Sequence, residues 1–327
     1  MQIRVLRAGE IRRLLPMREC IGLMERTMIE VSAGRTLAPL RTIMAIPGER
    51  GMLGNMQGYL PEPECFGVKL VSLMRPDRAP LHSSHMGLVL LFEPEQGRPV
   101  AILDAGEITA IRTAAASALA TRCLARAGAG DLALLGAGEQ ARSHLEAMRC
   151  VRALRRVRVW ARSAAKARRF ADAEGARHGI AIEVSDSVEA AVIGADIVCT
   201  LTKAREPILA GAWLAPGAHV NVVGSSVATA AEIDTDAVVR GRLFVDYRQS
   251  TVREAGEYLR ALSEGAISPG HIQAEIGEVA AGTAAGRGSE REITMYKSLG
   301  IAPQDLAAAH YVVERAAAAG VGQVIEF

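Results

Sequence analysis

A chain of 327 residues, half of them apolar, can bury the cores of two domains of ordinary size. Its 38 basic and 36 acidic residues leave a formal charge of +2, and aromatics make up only 4%, so neither nucleic acid nor an anionic membrane surface is an expected partner. The five cysteines, Cys20, Cys65, Cys123, Cys150 and Cys199, are scattered without CxxC spacing and are expected to be reduced thiols, mostly buried. The opening MQIRVLRAGEIRRLL lacks the apolar segment and cleavage site of a signal peptide, and no apolar run reaches the ~20 residues of a membrane span, which points to the cytoplasm.

From Pro16, PMRECIGLMERTMIEVSAG sets Ile21, Met24, Met28 and Val31 at helical spacing, with Gly34 where a C-terminal cap falls. Strand-like pieces follow: LRTIMAIP, GVKLVSLM, MGLVLLFEP and PVAILDAGEIT, the last two joined by the hairpin turn EQGR. Three of these are expected to form a mostly antiparallel sheet. After RTAAASALATRCLA the rhythm becomes DLALLGAG, a helix to about Cys150, RVRVWA, a helix across KARRFADAEGARHG, IEV, a short helix, ADIVCTLT, AHVNVVG and RLFVD. Strands alternating with helices indicate βαβ units on a parallel sheet. A last helix over DLAAAHYVVERAAAAG is expected to pack back on the first domain.

LALLGAGEQA, Leu132 to Ala141, follows a clear strand and opens a helix, and Gly136, Gly138 and Ala141 fit the GxGxxG/A order of a dinucleotide fingerprint. The first glycine makes the tight turn, the second lets the backbone approach a pyrophosphate, and the small third residue lets helix pack on strand. Gly136, Ala137, Gly138, Glu139 and Gln140 are therefore the candidate pyrophosphate cradle, with the N–H groups of the helix start facing the anion. The second strand ends in Arg162 and Ser163, followed by Lys166, where an NAD site usually carries a carboxylate for the ribose. That set suits a 2′-phosphate, so NADPH is the expected cofactor, with NADH the alternative.

Taken in order, PLRT (Pro39 to Thr42), GVKLVS (Gly67 to Ser72), DAGEITAIRTAAAS (Asp104 to Ser117), LGAGEQA, VGSS…EID (Val223 to Asp234) and MYKSLGIAPQDLA resemble the ornithine cyclodeaminase/mu-crystallin family over nearly the whole chain. The resemblance implies a homodimer of an α/β class. A substrate-binding and dimerisation domain of α+β type (1–113 and 301–327) would accompany a Rossmann-type parallel-sheet domain (114–300). It also implies that three cations, Arg41, Lys69 and Arg112, face the substrate and that Thr113 contacts a cofactor phosphate. Arg112, Thr202 and Ser298 complete the candidate cofactor contacts, and Ser226 joins the three cations as a candidate catalytic residue. The cations suit a 2-imino or 2-amino carboxylate, which a guanidinium clamp orients for transfer at C2. Lys69, in such a cationic cluster, is expected to have a lowered pKa and to serve as carboxylate ligand or proton donor.

One departure decides the reaction. Cyclodeaminases of the family carry an aspartate six residues before the glutamate, as proton acceptor during ammonia loss; here Ser226 stands six before Glu232. A serine hydroxyl holds no negative charge near neutral pH, and the ketimine-reducing branch resembles this chain in having serine there. The expectation is an NAD(P)H-dependent reductase of Δ1-pyrroline-2-carboxylate or Δ1-piperideine-2-carboxylate, yielding L-proline or L-pipecolate. The alternatives are ornithine cyclodeaminase, an open-chain amino-acid dehydrogenase, and a protein that binds NADPH or another ligand with little turnover. His82 and His85 in APLHSSHMG have no acidic or cysteine companion, so no metal is expected; GSS lacks the GxSxG elbow, so Ser225 and Ser226 do not indicate a hydrolase.

Overall fold

The structure, a computed structural model, describes residues 2–48, 50–74 and 85–326. It divides into two compact units, Met1–Thr113 with Gly300–Phe327, and Ala114–Leu299. The chain opens with β1 (Gln2–Leu6), α1 (Ala8–Leu14) and α2 (Met17–Ser32). Ile21, Met24, Met28 and Val31 of α2 are all buried, as their spacing requires, and Gly34 ends the turn at φ +71°. Then come β2 (Thr42–Ile46), β3 (Gly51–Pro61), β4 (Glu64–Met74), β5 (His85–Phe92), β6 (Pro99–Asp104) and α3 (Ala105–Leu124). PVAILDAGEIT is thus a strand only as far as Asp104, whose Oδ1 accepts from Glu107 N at 2.8 Å and starts the helix as an N-cap side chain does.

The alternating part follows as β7 (Asp131–Leu135), α4 (Glu139–Val151), β8 (Arg156–Trp160), α5 (Ala164–His178), β9 (Ile182–Val184), α6 (Val188–Val192), β10 (Ile197–Thr200) and β11 (His219–Val222). Next are α7 (Thr235–Arg240), β12 (Gly241–Val245), α8 (Arg248–Glu254), α9 (Gly256–Ser263), β13 (Ile272–Glu275), α10 (Ile276–Ala280) and β14 (Ile293–Lys297). The chain then returns to the first unit with α11 (Ala302–Ala319) and β15 (Gln323–Glu326).

In the first unit the sheet order is β15-β1-β6-β5-β4-β3-β2, antiparallel at every junction except β1 with β6. Helix α11 lies on β3, β4 and β5 and also against α2. What lets it come so close is a cross-strand pair of glycines, Gly58 and Gly67: a Cβ on either would stand 2.9 Å from Ala302 Cβ or Leu306 Cδ2. Because alternate residues of a strand share a face, Lys69 on β4 points the same way as Gly67, toward the first turn of α11.

The second unit is a wholly parallel sheet, ordered β13-β12-β14-β11-β10-β7-β8-β9. From β7 the chain lays β8 and β9 on one side and β10 and β11 on the other, so the order reverses there, and the loops after β7, β8 and β10 leave the carboxyl edge in register beyond Leu135, Trp160 and Thr200. Among the described residues no helix is long and apolar enough to cross a membrane.

Candidate functional site

The first unit sets two of the three expected cations, Lys69 and Arg112, on one carboxylate and brings Arg41 near Lys69. Asp305, in the first turn of α11, is fully buried; its Oδ2 lies 2.6 Å from Lys69 Nζ and its Oδ1 accepts from Arg112 Nε at 2.8 Å. Arg112 Nη1 donates to Gln304 Oε1 at 2.8 Å, and Arg41 Nη2 donates to the carbonyl of Gly300 at 3.0 Å. Gly300 serves both arginines. It sits at φ +79°, and a Cβ there would stand 2.6 Å from Arg112 Nη1.

Lys69 and Arg112 are 3% and 4% exposed, so their charges are removed from water and must be balanced locally. Burial lowers the Lys69 pKa to about 8; Arg112 and Arg41 push the same way, while Asp305 pulls it up. Burial works to raise the Asp305 pKa, but Arg112 and Lys69 outweigh it and hold the carboxyl below its ordinary range. Lys69 and Arg112 share the single charge of Asp305, an arrangement able to offer a small carboxylate ligand charge-assisted hydrogen bonds.

The sequence reading missed Asp305 and Gln304. An acid in the first turn of an alanine-rich helix reads as a favourable partner of the helix dipole. The available signal was their setting: in IAPQDLAAA this polar pair interrupts an apolar run that has to be buried.

The glycine loop of the second unit lies where the motif predicts. Gly136 has φ +130°, its N donates to Trp160 O at 2.8 Å, and a Cβ would come 2.6 Å from Leu201 O, so the fold itself demands glycine. Gly138 precedes α4, and a Cβ on it would meet nothing within 4 Å. Folding therefore does not explain that glycine, whereas an approaching pyrophosphate does. Ala137 and Gln140 are half-buried and Glu139 is exposed at the helix start.

Three hydroxyl or amide oxygens at expected cofactor positions are buried without a hydrogen-bond partner among the described residues: Thr113 Oγ1 in the first unit, Gln140 Oε1 and Ser298 Oγ in the second. Orphaned buried polar atoms are costly unless a ligand or water satisfies them, and Gln140 and Ser298 of the second unit thus fit a dinucleotide. At the end of β8, Arg162, Ser163 and Lys166 are all exposed; Ser163 caps α5 by accepting from Lys166 N at 3.4 Å, and neither Arg162 nor Lys166 has an ion-pair partner among the described residues.

Thr202 is already engaged. Its hydroxyl donates to Glu232 Oε1 at 2.7 Å and accepts from Ala204 N at 3.1 Å. The Glu232 carboxylate, fully buried, takes three further hydrogen bonds, from Thr202 N, Thr200 Oγ1 and Gly224 N. Burial raises the Glu232 pKa, while the Thr200 and Thr202 donors and the Lys297 charge act against it. A carboxylate so occupied is structural. Ser226, half-buried on the loop between Gly224 and Glu232, makes no hydrogen bond among the described residues. His82 lies outside the described residues, as does the side chain of His85; among the described residues no three His, Cys, Asp or Glu are grouped as metal ligands would be.

The model of the ornithine cyclodeaminase/mu-crystallin family matches residues 1–320. Ketimine reductase mu-crystallin of Mus musculus is 38% identical over 281 residues, 86% of either chain. Δ1-Pyrroline-2-carboxylate reductase of Bacillus cereus is 33% identical over 324 residues, 99% of each chain. The solved Δ1-pyrroline-2-carboxylate reductase of Thermococcus litoralis, in complex with NADH and L-proline, is similar with a TM-score of 0.95 at 36% identity, over 98% of this chain and 99% of that one.

Proposed function

Because the chain belongs to the ornithine cyclodeaminase/mu-crystallin family, we propose that it reduces a small cyclic ketimine carboxylate, Δ1-pyrroline-2-carboxylate or its six-membered homologue, to L-proline or L-pipecolate. The observation that carries this reading is the buried pair Lys69 and Arg112 on Asp305, with the half-buried Arg41 beside them on the Gly300 carbonyl, combined with serine rather than aspartate at 226. Arg41 and Arg112 hold the substrate carboxylate and fix C2. Lys69, protonated below about pH 8, donates the proton that the ring nitrogen gains. Asp305 keeps Arg112 and Lys69 in place and their charges tolerable.

The cofactor is NADPH, with NADH the alternative; when bound, its nicotinamide supplies the hydride. The Gly136–Gly138 turn and the start of α4 hold the pyrophosphate, and Gln140 and Ser298 offer hydrogen bonds to the same molecule. Arg162, Ser163 and Lys166 read the 2′-phosphate. Cyclodeamination is disfavoured because Glu232 is occupied by four donors and Ser226 cannot act as the lost base.

A homodimer is part of the reading: Met44, Leu53, Met86 and Leu88 are exposed, and the strand register sets them on one face of the first sheet. Cytoplasmic location is supported by five cysteines that are all free thiols. The deciding experiment follows NADPH and NADH oxidation with both cyclic ketimines, beside ammonia release from L-ornithine with NAD. Ammonia release at rates matching the best reduction would defeat the proposal.

A further inference from the structure

We infer that the buried ion pair Lys297–Glu257 is a positioning device: it holds the peptide between Ser225 and Ser226 so that Ser226 presents its N–H and hydroxyl as donors in the proposed reduction. The inference rests on that proposed reaction. Its starting point is a lysine in an expensive place. Lys297 ends β14, an interior strand of the second sheet, and is 2% exposed. An apolar side chain there would avoid the desolvation cost.

Lys297 Nζ makes two contacts. One is to Glu257 Oε2 at 3.0 Å, the two side chains each being 3% exposed. The other is to the carbonyl of Ser225 at 2.6 Å. Glu257 in turn accepts the backbone N–H of Glu232 through Oε1 at 3.1 Å. The loop from Gly224 to Glu232 is therefore held at both ends: Gly224 N by the Glu232 carboxylate, Glu232 N by Glu257, and Ser225 O by Lys297. Ser225 Oγ closes it internally by donating to Ala230 O at 2.6 Å.

The geometry of the peptide bond gives this clamp a direction. A trans peptide sets its carbonyl and the following N–H on opposite sides. With Ser225 O drawn to Lys297, the Ser226 N–H points away from it, and that N–H has no partner among the described residues. The anchored half of the peptide faces the core; the other half, with the half-buried Ser226 side chain, is left for a ligand. Lys297 would then act through Ser226 without touching the reacting atoms.

The test is the double variant Lys297→Met/Glu257→Gln. It removes both charges of the pair together, and glutamine still accepts the Glu232 N–H; the buried Glu232 carboxylate loses the nearby Lys297 charge but keeps its four hydrogen-bond donors. The expected result is a folded protein that binds NADPH within twofold of the natural protein, reduces the ketimine with kcat at least tenfold lower, and exchanges backbone hydrogens faster over 224–231. Near-normal kcat would overturn the inference.

A second measurement covers poor folding of that variant. Lys297→Arg and Ser226→Ala are made singly and together; if Lys297 acts through Ser226, their losses in kcat do not multiply. Losses that multiply fully indicate a merely structural lysine and also overturn the inference. Should the natural protein fail to reduce ketimines at all, it is the proposed reaction that falls, and hydrogen exchange over 224–231 still reports on the clamp.

Discussion

Asp305→Asn removes the one carboxylate shared by Lys69 and Arg112 while keeping the side chain's shape. Breaking a buried pair by removing one partner costs about 3–5 kcal/mol, because the other charge is stranded. Asparagine retains an oxygen for one of the two cations, which places the loss near the lower figure, about 3 kcal/mol. For a chain of this size that amounts to a urea midpoint lower by about 1 M. The second effect is on titration. Asp305 raises the Lys69 pKa against burial, so its loss lets that pKa fall further below about 8. A proton donor must be protonated, and activity falls as pH rises through its pKa. The basic limb of the kcat/KM profile should therefore move to lower pH, by about one to three units for the loss of an adjacent opposite charge. A variant of natural stability whose basic limb stays in place would refute both the role of Asp305 and that of Lys69 as donor.

Much of this architecture was legible in the sequence for a physical reason. The α2 face and the run from β7 to β11 are marked by periodicity, and the glycine loop by a backbone requirement at Gly136 that no other residue meets. The elements that escaped are those whose pattern is overridden by packing. β3, GMLGNMQGYLP, carries three glycines, of which Gly58 thins the sheet beneath α11, and these erase the alternation by which a strand is recognised. β14, ITMYK, is interior, with both faces covered, and so shows continuous burial instead of alternation. The site divides in the same way. Arg41, Lys69 and Arg112 were legible through resemblance, whereas Asp305, which binds two of them, is contributed from almost 200 residues away from Arg112 by a helix whose composition suggested only packing. Long-range charge neutralisation leaves little local trace.

Three further outcomes are expected. Gly300→Ala puts a Cβ at a φ of +79° and 2.6 Å from Arg112 Nη1, so it should cost about 1–3 kcal/mol in thermal unfolding and raise KM for the ketimine more than KM for NADPH. Arg162→Ala should raise KM for NADPH much more than for NADH; equal losses would mean that Arg162 does not read the 2′-phosphate. Ser226→Asp reinstates the carboxylate that cyclodeaminases of the family use. If the site is built to hold an anionic substrate, a new negative charge at this position weakens that hold. Reduction of either ketimine should then drop at least tenfold, with NADPH affinity preserved in fluorescence titration. Ammonia release from L-ornithine need not appear, because the second amine of that substrate needs contacts of its own. The substitution is informative in one direction above all: if Ser226→Asp reduces ketimines as fast as the natural protein, position 226 does not bear on the bound substrate, and the choice of reduction over cyclodeamination loses the residue on which it rests.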